Sequence, residues 1–265
     1  MRALKASTFH LWEVPVMTKL VRAYFSRLGK WTIFRILAVL MLAGGAAAAI
    51  MLKGKPIAFQ LPYVAAYLFF PHYIGIIIAL FNYPLFTSGT IRNQISVGHK
   101  RSNIYIADWA ATVAFSVSLY IIMTISLIGV SLAAGGSNTD GIVARNVVEG
   151  VILSTFHVIL FATISQLFCV LLKGVKSFLA IYIGNQALIL ASIGLCATKD
   201  FPQKLGYFLP TFVCMNIKNF GVPDSIVSNG LVADFSFLPA LGAMVLETAI
   251  VFLIGLLYFR KTDLK

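Results

Sequence analysis

Six long apolar segments, separated by more polar connections, limit what this chain can fold into. They run approximately Trp31–Leu52, Leu61–Phe86, Ile104–Ala133, Val148–Leu172, Phe178–Cys196 and Phe235–Phe259. A helix needs about 20 apolar residues to cross the hydrocarbon core of a bilayer. The chain is 59% hydrophobic and only 11% charged, whereas soluble domains carry about 25% charged residues. The sequence therefore predicts an all-α integral membrane protein with six transmembrane helices.

The basic residues are distributed unequally over the connections. Most of the 21 Lys and Arg residues fall at the two termini and in alternate connections, on one side of the predicted bundle. The positive-inside rule places that side, with both termini and the loop from Gly89 to Arg101, in the cytoplasm. Because these residues flank apolar segments, the net charge of +12 reflects membrane topology, and we expect no nucleic-acid partner.

Residues 12–30 have an amphipathic pattern. Apolar side chains recur at helical spacing: Met17, Leu20, Val21, Tyr24, Phe25 and Leu28. Basic side chains fall largely on the opposite side: Lys19, Arg22, Arg27 and Lys30. This pattern predicts a helix lying on the inner leaflet, with its cations toward anionic headgroups. The alternative is a solvated basic tail, which does not need the apolar stripe.

A polar segment, residues 87–103, connects the second and third apolar segments. Gly89 and Gly98 bracket a predicted short helix, and Thr90 is placed to cap its start. Ile91 and Ile95 lie one turn apart and form an apolar face. We expect this face to enter a groove on another protein. The surrounding hydrogen-bond donors are Arg92, Asn93, Gln94, His99 and Arg101.

The order of these residues resembles a known signature. Gly-Thr-Ile-Arg-Asn (89–93), Ser96 and Arg-Ser-Asn-Ile-Tyr (101–105) are similar to the G-T-I-[KR]-N…S…R-S-x-I-Y pattern of the membrane subunit of ABC exporters, the export-type permease family. The C-terminal sequence from Phe259 to Lys265 is similar to the end of many members. The alternative interpretation of segment 87–103 is an ordinary basic cytoplasmic loop.

The resemblance implies one permease domain, residues 1–265. It implies that residues 87–103 form a cytoplasmic coupling helix that docks on a separate P-loop ATPase subunit, which binds ATP and Mg. It also implies an interfacial helix at 12–30, an extracytoplasmic lid at 197–234, and a second permease copy, either in a homodimer or as a similar permease. Small members are often toxin-peptide exporters or immunity pumps against antimicrobial peptides, so the resemblance implies an amphipathic or hydrophobic substrate, a peptide above all, in a bacterial cell membrane.

No motif in the sequence predicts catalysis by this chain. The phosphate-binding pattern G-x-x-x-x-G-K-[ST] is absent, so we expect ATP hydrolysis on a partner and no cofactor here. His and Cys residues lack metal-binding spacing, so no catalytic or metal-binding residue is predicted. A membrane-embedded enzyme is an alternative for which the sequence offers no constellation.

Charged residues inside apolar segments are expensive in a bilayer and are functional candidates. Glu247 and His157 lie at similar depth in the sixth and fourth segments, which predicts a contact between them. Asp108 and Arg35 lie about one turn inside the cytoplasmic boundary and either pair or snorkel. The alternative function is a proton-coupled secondary transporter that uses Glu247, Asp108 and His157. Packing without function explains each residue equally well.

In the resembled family, the second and fifth spans line the path between two protomers. The resemblance therefore places their polar and aromatic residues on a substrate path: Tyr73, Asn82, Phe86, Tyr182, Asn185 and Gln186. Ordinary core packing explains the same residues about as well.

Overall fold

The computed structural model describes residues 4–51, 62, 65–66, 70–133, 144–173, 176–196, 208 and 237–262. All regular structure within these ranges is helical. The helices are α1 (Leu4–Lys30), α2 (Thr32–Met51), α3 (Phe70–Thr87), α4 (Thr90–Ser96), α5 (Arg101–Ala133), α6 (Ala144–Leu172), α7 (Lys176–Cys196) and α8 (Phe237–Lys261). The predicted lid at 197–234 lies outside the described residues, apart from Phe208.

Four of these helices, α2, α5, α6 and α8, are long and apolar enough to cross a membrane. α3 and α4 meet at a bend of 54°, and they make a fifth such span only if the bent pair is counted as one. The apolar part of α7, Lys176–Ala191, is shorter. The prediction of an all-helical protein with membrane-length helices is therefore confirmed for the part of the chain that the structure describes.

α2 and α5 run side by side in the same direction. Just before the start of α2 and near the middle of α5, the Trp31 and Phe115 rings lie 5.8 Å apart. Further along, Ser126 Oγ donates a hydrogen bond of 2.6 Å to the Leu42 carbonyl. The contacting residues come later in sequence on both helices together, so α2 and α5 are parallel.

α3 and α7 run in opposite directions. At one end, Asn185 Nδ2 donates a hydrogen bond of 2.5 Å to the Pro71 carbonyl. At the other, the rings of Tyr83 and Phe178 lie 6.1 Å apart. The last turn of α3 therefore meets the first turn of α7.

α8 runs antiparallel to α5. The Arg101 guanidinium, at the start of α5, donates to the Thr262 carbonyl just after α8. About two to three turns further in, the Trp109 and Phe252 rings lie 4.7 Å apart. The first turns of α5 and α7 and the last turns of α3 and α8 thus share one end of the bundle with α4, which we call the basic end.

Two apolar clusters form the core. The first joins α2, α3, α5, α6 and α7 around the buried rings of Phe81 and Phe115. The second lies at the basic end and joins α1, α3, α4, α5, α6 and α8, including Tyr24, Ile91 and Tyr105. Because α1 and α4 contribute buried side chains, both are parts of the folded bundle.

Two glycines bring outer helices close to α5. A Cβ at Gly45 of α2 would lie 2.9 Å from the Met123 carbonyl oxygen. A Cβ at Gly255 of α8 would lie 2.1 Å from Tyr105 Oη. Small residues at such contacts let helix backbones approach closely in a membrane.

Candidate functional site

α4 is a two-turn helix with a glycine on each side. Gly89 is its N-cap with φ 71°, and Gly98 follows it with φ 99°. Both lie in the left-handed region that favours glycine, so the prediction that these glycines bracket the helix is confirmed. The prediction that Thr90 caps the helix is wrong, because no side chain caps it. Thr90 Oγ1 instead lies 2.7 Å from Ser88 Oγ.

The apolar face of α4 points into the protein. Ile91 is only 4% exposed and packs in the core cluster of the basic end, and Ile95 packs against the same cluster. The prediction that these two isoleucines enter a groove on a partner is therefore wrong for this conformation. The two side chains attach α4 to its own chain because burying apolar area is favourable against α1 and α5.

The opposite face of α4 is exposed. Arg92, Asn93, Ser96 and Val97 all lie at the surface, and Val97 is 79% exposed. We call these four residues the α4 outer face. It presents one apolar side chain among a cation and two polar groups, which is a suitable surface for a protein partner.

Arg101 and His99, predicted to surround the dock, face their own chain. Arg101 is half-buried and donates to the Thr262 carbonyl. The prediction that its guanidinium is a donor available to a partner is therefore wrong. A cation near the last carbonyls of a helix is favourable because of the helix dipole. His99 is half-buried, and its backbone N–H donates to the Gln94 carbonyl at 3.1 Å.

Part of the apolar stripe of α1 packs on the protein. Leu20, Tyr24 and Leu28 are buried in the core clusters, which corrects the prediction that these three side chains lie in lipid, whereas Phe25 of the same stripe is exposed. Tyr24 Oη donates a hydrogen bond of 3.2 Å to Gln94 Oε1 on α4. Burial raises the pKa of the Tyr24 phenol, so the group stays a neutral donor. α1 and α4 are thus joined directly.

Three of the four predicted headgroup cations of α1 are exposed, namely Lys19, Arg22 and Lys30. The fourth, Arg27, turns inward. Its Nη2 donates to the Phe81 carbonyl, and its guanidinium carbon lies 4.5 Å from the centre of the Phe81 ring. Burial lowers the pKa of Arg27, and the Asp108 carboxyl opposes this shift. The prediction of Arg27 at the lipid headgroups is wrong.

A buried polar network joins α3, α5 and α6. Gln166 Nε2 donates to Asp108 Oδ2, and Gln166 Oε1 accepts from Asn82 Nδ2. The Thr112 hydroxyl donates to the same Oε1 at 3.3 Å. Sequence reasoning missed Gln166 and Thr112. The signal for Gln166 was an amide inside the fourth apolar segment, where it needs partners.

The predicted pairing of Asp108 with Arg35 is wrong. Arg35 is exposed, and its Nη2 donates to the Lys30 carbonyl at 3.1 Å, which caps the end of α1. Asp108 is buried and receives its hydrogen bond from Gln166.

The contact between Glu247 and His157 stays a prediction. His157 is fully buried in α6, where its ring lies 4.7 Å from that of Phe161. Glu247 is half-buried in α8. Asp108, the third proposed proton carrier, is buried and receives its hydrogen bond from Gln166.

The two asparagines predicted to line a substrate path face the interior of the bundle. Asn82 belongs to the Gln166 network, and Asn185 is fully buried and binds the Pro71 carbonyl. Both side chains hold helices of one chain together, so their prediction as a lining between protomers is wrong here.

The other four residues predicted on the path differ among themselves. Tyr73 and Tyr182 are exposed on the outside of α3 and α7. Phe86 is partly buried against both core clusters, and Gln186 is half-buried. Only the two tyrosines lie on an outer face that a second copy can reach.

Metal-binding chemistry finds no support among the described residues, where no group of three or more His, Cys, Asp or Glu side chains is placed to hold an ion.

No family of known proteins matches the chain, and no curated protein matches it either. The function is therefore argued from the sequence and the geometry.

Proposed function

We propose that this chain is the membrane subunit of an ATP-driven ABC exporter in a bacterial cell membrane. The observation that carries the proposal is α4, a short helix at 54° to α3 that contains the Gly89–Asn93 sequence. It lies between two long helices at the end of the bundle, where a soluble partner can reach it. The partner is a P-loop ATPase subunit that binds ATP and Mg.

In this proposal the chain crosses the membrane six times, with both termini in the cytoplasm. In it, α3 is the second span and ends at the bend where α4 begins, and α7, whose apolar part is shorter, is the fifth span. The antiparallel pairs α3–α7 and α5–α8 support the alternating directions that six spans need. Two such chains, as a homodimer or with a similar permease, enclose the path of an amphipathic or hydrophobic substrate, a peptide above all.

The α4 outer face is the proposed docking surface. Around it, the described residues of the basic end expose Lys100, Lys176 and Lys261 and no acidic side chain. A partner surface with acidic groups around an apolar recess for Val97 is complementary to this end.

Docking on this face transmits force through the inner face of α4. Ile91 packs among α1 and α5, and Gln94 accepts the Tyr24 hydrogen bond. Closure of the ATPase pair on ATP therefore moves α4 together with α1 and α3, and this movement opens the path outward.

The test is co-purification with the ATPase subunit encoded beside this chain. Val97→Asp and Arg92→Glu change exposed side chains, so we expect an unchanged melting temperature but at least a tenfold loss of complex and of ATPase stimulation. Arg22→Glu is the matched control, an exposed charge reversal on α1, outside both α4 and the lysines around it. Full complex formation by both α4 variants would contradict the proposed dock.

The second candidate is a proton-coupled transporter. One observation favours it: Asp108 is buried and its Oδ1 has no hydrogen-bond partner. Transport by vesicles that hold this chain without any ATPase, driven by a pH gradient, supports this candidate and excludes the exporter.

A further inference from the structure

Two buried groups of opposite charge are each half-satisfied. Arg27 uses Nη2 on the Phe81 carbonyl, and its Nη1 has no hydrogen-bond partner. Asp108 receives one hydrogen bond on Oδ2 from Gln166, and its Oδ1 has no partner. The two groups act on each other electrostatically.

A chain of contacts leads from one group to the other. Arg27 binds the Phe81 carbonyl, and the next residue, Asn82, donates to Gln166. Gln166 in turn donates to Asp108. The first and last members of this chain of contacts, Arg27 and Asp108, each keep one buried atom without a hydrogen-bond partner, Nη1 and Oδ1.

Buried polar atoms without partners are rare, because each loses the hydrogen bonds to water that it would make at the surface, and the loss is larger when the group is charged. One donor atom and one acceptor atom, both buried and of opposite charge, satisfy each other when they meet. A half-satisfied network of this kind is expected where the protein has a second arrangement of the same groups.

We propose that Arg27 and Asp108 form an ion pair in a second conformation of this protein, in which Asp108 exchanges its bond from Gln166 for the Arg27 guanidinium. The pair ties α1 to α5. Because Tyr24 of α1 also binds Gln94 of α4, closing the pair moves the amphipathic helix and the short helix together. This inference goes beyond the proposed function, since it concerns the chain alone and holds for any partner.

The experiment is a double-mutant cycle on the purified chain in lipid nanodiscs, with the melting temperature as the readout. Arg27→Gln, Asp108→Asn and the double variant are compared in the wild-type background and in a Gln166→Met background. Met is apolar and similar in size to Gln, so this change removes the competing donor without opening a large cavity. A matched set uses Arg22→Gln, an exposed cation on the same helix.

In the Gln166→Met background, we expect Arg27→Gln to lower the melting temperature by about 3 °C or more, but only while Asp108 is present. The melting temperature of the double variant then falls by the same amount as that of one single variant. Arg22→Gln shows no such coupling. Additive shifts for Arg27 and Asp108 in both backgrounds overturn the proposal, and so does equal coupling at Arg22.

A second measurement covers the case in which Gln166→Met does not fold. In the wild-type background, the charge exchange Arg27→Asp with Asp108→Arg restores the pair without touching Gln166. Recovery of at least half of the melting temperature lost in the worse single variant supports the pair, and no recovery overturns it. Neither measurement contains an ATPase, so a failed docking experiment leaves the result unaffected.

Discussion

The outer helix α2 and the central helix α6 are held in the bundle in different ways. Only 11% of the apolar stretch of α2 is buried, compared with 56% for α6. α2 approaches α5 through Gly45, whereas α6 holds α3 and α5 through both ends of the Gln166 amide. The α2 contact is close packing with one hydrogen bond, from Ser126 to the Leu42 carbonyl, whereas the α6 contact is a network of buried side-chain hydrogen bonds.

The difference between α2 and α6 follows from the lipid that surrounds an outer helix of a membrane protein. Lipid tails are as apolar as leucine, so an apolar side chain gains little by leaving lipid for another helix. An outer helix is therefore held by close backbone approach, and a central one can also use polar groups that lipid cannot satisfy. The predictions below test whether steric fit matters more than any single hydrogen bond.

The largest effect is expected at Gly255 on α8. A leucine there would drive its Cβ into the buried Tyr105 ring, so Gly255→Leu should cost about 3 kcal/mol of unfolding free energy. Gly242→Leu, on the same helix with nothing within 4 Å of its Cβ, is the control. Reversible unfolding by titration with a denaturing detergent measures both, and equal losses would show that the contact is not tight.

A smaller effect is expected at Gly45, where the neighbouring atom is a backbone carbonyl that cannot rotate away. Gly45→Ala should be less stable than Gly44→Ala by about 2 kcal/mol, because only the first places its Cβ against Met123. The adjacent glycine has open space and shares the same gain in helix propensity. If the two variants have the same free energy of unfolding, α2 is not held at this point.

Tyr24→Phe removes the hydrogen bond between α1 and α4 and keeps the ring. We expect a loss of about 1 kcal/mol, with Tyr258→Phe, on an exposed tyrosine, as the control. The matching functional readout is ATPase stimulation in the complex, which should fall if α1 moves with α4. Unchanged stability and stimulation would mean that the two helices are joined by apolar packing alone.

The smallest effect is expected at Thr112, one of two donors to Gln166 Oε1. Thr112→Val keeps the shape and should cost about 0.6 kcal/mol, since Asn82 still donates. Ser116→Ala, next to it on α5 and bonded only within its own helix, is the control. A loss at Thr112 larger than that of Gly45→Ala would reverse the proposed order of steric fit and hydrogen bonding.

Hydropathy predicted membrane-length helices, because the length of an apolar stretch depends only on the sequence, and the described residues contain four or five of the six expected. The positions of Gly89 and Gly98 predicted the short helix between them, since glycine suits the left-handed backbone found at both. What the sequence did not predict is which surface each amphipathic face meets. The stripe of Leu20 and Tyr24 suits lipid and protein equally, and only the fold shows that they pack on protein.

The polar partners were also beyond the sequence. Asp108 had several candidate partners at a similar depth in the membrane, and Arg35 was predicted because of its position along the chain. The choice between Arg35, Arg27 and Gln166 depends on how α1, α5 and α6 are rotated, which periodicity does not fix. The substrate, the second copy and the ATPase partner stay predictions.

The contact between α2 and α5 has a consequence for how the protein is made. Gly45 leaves the ribosome about 80 residues before Met123, and translation adds about 5–20 residues per second. For some seconds, α2 is therefore in the membrane without the helix that holds it at this point. Its exposed isoleucine, valine and leucine side chains keep it in lipid during this interval. An apolar outer face on α2 is therefore required during synthesis as well as in the finished fold.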